Sequence, residues 1–289
     1  MSVRQLSYSS VSAYLGCPFR WRKRYVERAP APATEPLIVG SAVHGAVEGY
    51  LKRRFLGQEA DLATLWRKAF WAQARGRAAR DGVDWGQGTG EDAYWRGQRL
   101  LIETADLTVE HHLLGADGRD LTTAHTSSSI PAFLDGIELL GARGKPAIEK
   151  RVSMRVPGVD VPVVGFVDWL EADGVPADLK TSGQPWQAEE AALALQPAFY
   201  LASLEQMGYE HNPRRVFRHY ILVRGEAPRL QIFETRRNKP QLEWVHALIR
   251  QVWRALEAGH FFPNPTNRWC TPSHCEYWAS CRGWGGDRG

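Results

Sequence analysis

Gly165-Phe166-Val167-Asp168 and Asp178-Leu179-Lys180-Thr181-Ser182 decide how the chain reads. Val161 to Leu170 is almost unbroken apolar sequence with Asp168 its single charge, Asp173-Gly174 is a turn signal, and Val175 to Leu179 then runs into Lys180. The pattern predicts two strands joined by a turn. Side chains alternate along a strand, so Asp178 and Lys180 share a face and Leu179 takes the other. A carboxylate inside an apolar strand is costly unless it is paired or holds a metal. Two such carboxylates beside a lysine suit hydrolysis assisted by a divalent metal. The plain rival is a pair of edge-strand acids neutralised by that lysine.

The chain has 289 residues, 44% hydrophobic and 24% charged, which fits an ordinary soluble globular protein. No apolar run is long enough for a membrane span, and Met1-Ser2-Val3-Arg4-Gln5 leads into no signal-peptide core. A cytoplasmic protein with no membrane partner is therefore expected. Net charge is only +4, but the cations cluster. Residues 1–28 hold six Lys/Arg against Glu27, and residues 211–240 hold eight against Glu226 and Glu234. Such patches suit a polyanion, although solvated basic faces are as common. Some of the twelve Trp could stack on bases; most are expected in the core.

Outward from the central stretch, helices are expected over 7–26, 37–56, 59–80, 91–114, 187–208 and 241–258. Cys17-Pro18 would bend or restart the first of them. Strands are expected over 147–156, 161–171, 175–181, 215–223 and 230–235. Residues 29–36 read as an extended linker, 82–90 and 115–131 as loops, and 260–289 as a tail without periodicity. This is an α/β order with a helical region at 37–145, assigned to substrate contact, and a sheet core at 146–236.

His44, Asp168 and Asp178 could meet at one metal, and their donors suit Mg²⁺ or Mn²⁺. The Leu179 carbonyl is a further candidate ligand, because its side chain points away. Lys180 would stabilise charge on a phosphate or hold the attacking water. Glu149 is either an acid near that metal or a partner of Lys150 or Arg151. Gln196 and Tyr200, four apart on one helical face, could reach a DNA phosphate or buttress Lys180. Cys17 and the trio Cys270, Cys275 and Cys281 read as four ligands of one metal centre joining the early and late segments. Zinc is the rival occupant, though it more often sits between two close Cys-x2-Cys pairs. His274 is a substitute ligand.

Taken together, these residues resemble the RecB-like branch of the PD-(D/E)XK nucleases, and most of all its iron–sulfur members of the Cas4 and AddB type. The matching pieces are Gly40-Ser41-Ala42-Val43-His44, Gly165 to Asp168, Asp178 to Ser182, Gln196-Pro197-Ala198-Phe199-Tyr200 and the Ser9–Tyr25 segment with Cys17-Pro18. The resemblance implies a restriction-endonuclease-like α/β core, a central mixed sheet flanked by helices, in one nuclease domain over 1–289. It implies His44, Asp168 and Asp178 as metal ligands, Lys180 as catalytic, and Gln196 and Tyr200 in support. It also implies a [4Fe–4S] cluster on Cys17, Cys270, Cys275 and Cys281, in a subdomain made of 1–28 and 260–289. The first gap of the trio is four residues where the family more often has Cys-x2-Cys. The implied activity is a Mg²⁺- or Mn²⁺-dependent exonuclease on single-stranded DNA, with endonuclease activity a further outcome. Recombination, repair or CRISPR-type spacer acquisition would be its setting, with proteins of those systems or a second copy as partners. The rivals are a non-catalytic DNA-binding subunit and a zinc-stabilised structural protein.

Overall fold

A computed structural model describes residues 3–115, 118–142, 144–225 and 227–282. Seven strands form the central sheet: β1 (Leu107–Leu114), β2 (Asp120–Ser128), β3 (Ile148–Met154), β4 (Val163–Leu170), β5 (Pro176–Ser182), β6 (Val216–Val223) and β7 (Arg229–Arg236). Their spatial order is β2-β1-β7-β6-β5-β4-β3. The pairs β5/β6 and β7/β1 are parallel and the other four antiparallel, so the sheet is mixed.

The five strands expected from the pattern are present. The two at the β1–β2 end correct the sequence reading, which had a helix over 91–114 and a loop over 115–131. The helix there, α5 (Gly90–Gln98), passes into a π-turn over Arg99–Glu103 and stops. Leu107 and Val109 then alternate into the core as a strand against β7. β2 is a polar edge strand of Thr and Ser whose pairing comes from β1, a long-range contact that local pattern does not reveal. A short helix α6 (Ile130–Asp135), capped by Ser129, follows it.

Prolines account for two further breaks. Cys17 is extended, and Pro18 begins α2 (Pro18–Tyr25) after α1 (Tyr8–Gly16). The expected 187–208 helix is split at Ala194-Leu195 into α7 (Ala188–Leu193) and α8 (Gln196–Gln206), with Pro197 in the first turn of α8. Residues Ala33–Thr34 of the expected linker pair in parallel with Val83–Asp84 of the expected 82–90 loop. The late tail carries α10 (Trp278–Arg282), and 283–289 lie outside the described residues.

The sheet is covered on both faces. On one, α3 (Glu35–Phe55), α4 (Leu62–Arg80) and α5 bury Val39, Val43, Val47, Trp66 and Phe70 against Trp169, Leu179 and Tyr220. The small residues of α3 allow this approach. A Cβ at Gly45 or Gly49 would already touch Ala69 or Leu65 of α4, and one at Gly40 would lie 3.0 Å from Thr181 Oγ1. On the other face, α1, α8 and α9 (Lys239–Glu257) bury Tyr14, Phe199, Val245 and Ile249 against Val167 and Phe217. No described helix is long and apolar enough to cross a membrane.

Candidate active site

The site begins where a ladder ends. β4 and β5 pair only at Leu170↔Pro176 and Trp169↔Ala177. Beyond that the strands part, which places Asp168 and Asp178 on the two arms of a fork. Asp168 Oδ2 takes the Leu179 N–H at 2.7 Å in place of a backbone acceptor. In an extended strand a residue's N–H and C=O face the same edge, so the Leu179 carbonyl faces the fork as well.

Both carboxylates are deeply buried, at 7% and 2% exposure. His44 Nδ1 of α3 lies 3.3 Å from Asp168 Oδ2. Lys180 Nζ forms an ion pair with Asp178 Oδ2, and Gln196 Nε2 donates to Asp178 Oδ1 at 2.5 Å. Tyr200 Oη is 3.4 Å from the same Gln196 nitrogen. Gln196 and Tyr200 therefore buttress Asp178, where their spacing had suggested a DNA phosphate or Lys180.

Burial and the nearby Asp178 charge push Asp168 well above the carboxylate range, against the Leu179 N–H and Lys180, which pull it down. Burial lowers His44, partly offset by Asp178, so its ring is neutral and able to donate a lone pair. Burial alone would lower Lys180, but the charge and hydrogen bond of Asp178 outweigh it and leave the ammonium above its ordinary value. Two buried acids repelling one another beside a neutral imidazole and a fork-facing carbonyl are a donor set that a hard divalent cation would relieve. In the arrangement described, Lys180, Gln196 and the Leu179 N–H occupy the acidic oxygens, and no three His, Cys, Asp or Glu groups among the described residues stand together as a metal-holding group.

Three residues near the fork escaped the sequence reading. Glu48, one turn after His44 on α3, is pushed up to about 8 by burial and by its hydrogen bond to Glu149. Glu149 thus pairs with Glu48, not with the cations beside it. It falls between the Ile148↔Trp169 and Lys150↔Val167 pairs of the β3–β4 register and holds a left-handed φ of 47°, a strained backbone for a residue with a Cβ. The i, i+4 spacing of His44 and Glu48 was the available signal. His219 pairs in register with Asp178 on β6, is fully buried, and is held neutral by that burial, its pKa lowered to about 3. Tyr8 of α1 feels the charges of Lys180 and Asp178 and is raised chiefly by burial.

The four cysteines are free thiols, each partly buried. Cys17, Cys270 and Cys275 line one cavity of about 480 Å³, and Cys281 feels the charges of Cys17 and Cys270. Cys17 Sγ accepts the Asn264 N–H at 3.4 Å. Around them Tyr14 Oη donates to His260 O at 2.6 Å and Arg20 pairs with Glu276 at 2.8 Å. The late segment is thus fastened to α1 and α2 by hydrogen bonds and an ion pair, and among the described residues the cysteines are not gathered as a metal-holding group. The His274 ring is in hydrogen-bond contact with Thr271 and Ser273 instead.

A sequence model of the PD-(D/E)XK nuclease superfamily matches residues 5–282. No curated protein matches the chain. The fold is similar to that of a crystal structure described as "Putative exonuclease" from Eubacterium rectale, with a TM-score of 0.53, 12% identity, 97% of this chain and 88% of that one covered. With the family match spanning nearly the whole chain and the paired acids, lysine and helical histidine gathered at one fork, this protein belongs to the PD-(D/E)XK nuclease superfamily.

Proposed function

We propose that the chain is a Mg²⁺- or Mn²⁺-dependent deoxyribonuclease, acting as an exonuclease on single-stranded DNA in recombination, repair or spacer acquisition. The observation that carries the reading is the convergence of His44, Asp168, Asp178, Lys180 and Gln196 at the β4–β5 fork. His44, the two aspartates and the Leu179 carbonyl would hold the cation, which supplies Lewis acidity toward the phosphate. Lys180 keeps its proton and places a positive charge where negative charge builds on the phosphodiester. Gln196, steadied by Tyr200, fixes the rotamer of Asp178. In the basic clusters at 1–28 and 211–240, Arg20, Arg22, Lys23, Arg215, Arg218 and Arg229 are held by carboxylates, and the remaining cations would supply attraction to the strand.

The test is a digestion time course with Mn²⁺ and single-stranded DNA labelled at either end, comparing wild type with Asp178→Asn and Lys180→Ala. Progressive shortening in the wild type, lost by at least a thousandfold in both variants, is expected. Undiminished cleavage by either folded variant sinks the assignment. Binding without cleavage in every divalent metal would identify a DNA-binding subunit.

The same reading gives Cys17, Cys270, Cys275 and Cys281 a [4Fe–4S] cluster of structural role; three of the four line one cavity, and Cys281 lies near enough to feel the charges of Cys17 and Cys270. Anaerobically purified protein should be brown and absorb broadly in the visible, and Cys17→Ser should bleach it. A colourless protein with stoichiometric zinc rules the cluster out.

A further inference from the structure

A second cavity, of about 550 Å³, opens beyond the far end of β5. Arg96, Arg99 and Arg224 line it together with Glu35, Val39 and Thr104. Its charge is lopsided: three guanidinium groups face one carboxylate. Arg96 holds that carboxylate through two contacts to Glu35, at 3.1 and 2.7 Å. Arg99 makes no ion pair among the described residues. Arg224 is the informative group. Its Nε is buried and has no hydrogen-bond partner among the described residues. Burial lowers its pKa, with Glu35 opposing and Arg96 adding to the effect. An arginine donor withdrawn from water without an acceptor is costly, and an anion is what it lacks.

The surroundings agree. The first turn of α3 borders the cavity through Glu35 and Val39, and Thr34 at its N-cap lends no side-chain oxygen to the open N–H groups. Arg99 opens the π-turn, a helix irregularity that often marks a functional position. Gly225 adopts φ 153°, and a Cβ there would meet nothing, so backbone is open to a ligand.

The cavity is tied to the fork by two elements. Arg224 N–H donates to Ser182 O at 2.8 Å, and Ser182 is four residues along β5 from Asp178, about 13 Å at strand rise. Along α3, Val39 borders the cavity and His44 the fork. We propose that this cavity is a second phosphate subsite, seating a phosphate of the nucleic-acid strand a few nucleotides from the one at the fork. The span is roughly four nucleotides at the ~3.4 Å rise of a stacked strand, and fewer if the strand is stretched. The subsite rests on the nuclease reading for its strand, and it would fix how far the strand enters before cleavage. Its phosphate is either a strand terminus or an internal phosphodiester.

The experiment uses three labelled single-stranded oligonucleotides of one sequence, with a 5′-phosphate, a 3′-phosphate or neither, titrated by fluorescence anisotropy in EDTA. Wild type is compared with Arg224→Gln and with Arg99→Gln, whose exposed side chain can be changed without disturbing the core. Each variant should lose about tenfold in affinity, with a salt dependence shallower by about 0.7 per arginine removed. KM for cleavage should rise while kcat holds. Loss confined to one phosphorylated end assigns a terminal phosphate, and equal loss on all three assigns an internal one. Wild-type affinity of both variants for all three strands overturns the subsite, as does a wild type that binds none. Binding that depends on Arg224 in a protein that cuts nothing keeps the subsite and removes the nuclease reading. Normal cleavage with indifferent arginines does the reverse.

Discussion

Gly165→Ala tests how tightly the fold grips the site. Gly165 is the first residue of the Gly-Phe-Val-Asp stretch on β4, three before Asp168. Its backbone is not in the left-handed region, so alanine should suit it and would stabilise by up to about 1 kcal/mol through a stiffer unfolded chain. Packing opposes this. The new Cβ would lie 2.6 Å from Tyr200 Cε1, 3.3 Å from Cδ1 and 3.6 Å from Val152 Cγ2. Carbon atoms rest at about 3.5–4.0 Å, so the Tyr200 ring must retreat by about 1 Å. It has little room, being buried and packed near Phe217 at 6.0 Å between ring centres. Overpacking of this kind costs about 1–3 kcal/mol and wins over the entropic gain, for a net loss of about 1–2 kcal/mol. Because Tyr200 steadies Gln196, and Gln196 holds Asp178, nuclease activity should fall as well. Urea unfolding of Gly165→Ala, Tyr200→Leu and the double variant is the assay. The double variant should lose less than the sum of the two, since the smaller side chain removes the clash. A Gly165→Ala protein as stable as wild type, or strict additivity, would refute the reasoning.

Other consequences are open to equally direct tests. His219 has a folded pKa of about 3 against 6.5, so below pH 6.5 the unfolded chain takes a proton that the folded one refuses. Its contribution is complete above pH 6.5 and disappears as pH falls toward 3, on the order of 5 kcal/mol, and His219→Leu should flatten that decline in urea midpoints. Glu48 behaves oppositely: with its pKa raised from 4.5 to about 8, metal-free protein should lose stability as pH rises through that window. Glu48→Gln should remove about 1 kcal/mol of that loss, allowing for solvent at the pair, and an unchanged pH slope would contradict the shared proton. Arg218 neutralises Glu171 at 2.6 Å, Asp173 at 2.7 Å and Glu234 at 3.1 Å. Arg218→Met should destabilise by about 3 kcal/mol, part of it regained on adding Glu171→Gln, and no regain would mean the cost lies in packing.

The two strands of the fork were legible because they break a rule in plain view. Asp168 and Asp178 sit in runs that otherwise contain only apolar residues, and Asp173-Gly174 marks the turn, where Gly174 has φ 82°. A Cβ at Gly174 would lie 2.5 Å from His211 O, so the turn needs glycine twice over. Strands β1 and β2 were not legible, because Glu110, His111 and His112 interrupt the apolar alternation and the Thr and Ser of β2 take their structure from a neighbour. Likewise His44 stood out only with the aspartates beside it. Glu48 reads as an ordinary helical acid until Glu149, a hundred positions later, is folded against it. His219 lies inside Val-Phe-Arg-His-Tyr-Ile-Leu-Val, where nothing local says that its buried ring will stand in register with Asp178.

The clasp between α1–α2 and the 260–282 segment bears on how the protein is made. Leu6 pairs with Val163 beside the fork, and Tyr8 stands within the field of Lys180 and Asp178. Yet α1 and α2 are fastened by Phe262, Asn264, Asn267 and Glu276, which emerge from the ribosome about 250 residues later by their numbering. The seven-stranded sheet is complete once residue 236 is out, and α1 can already pack on it through Val11 and Tyr14, but the clasp over α1 and α2 forms only when residues 260–282 arrive. A chain cut short by a stalled ribosome would carry every acid of the fork without the clasp that steadies Tyr8 beside it. The contacts that hold α1 and α2 would then form only after residues 260–282 have been made, later than the fork they border.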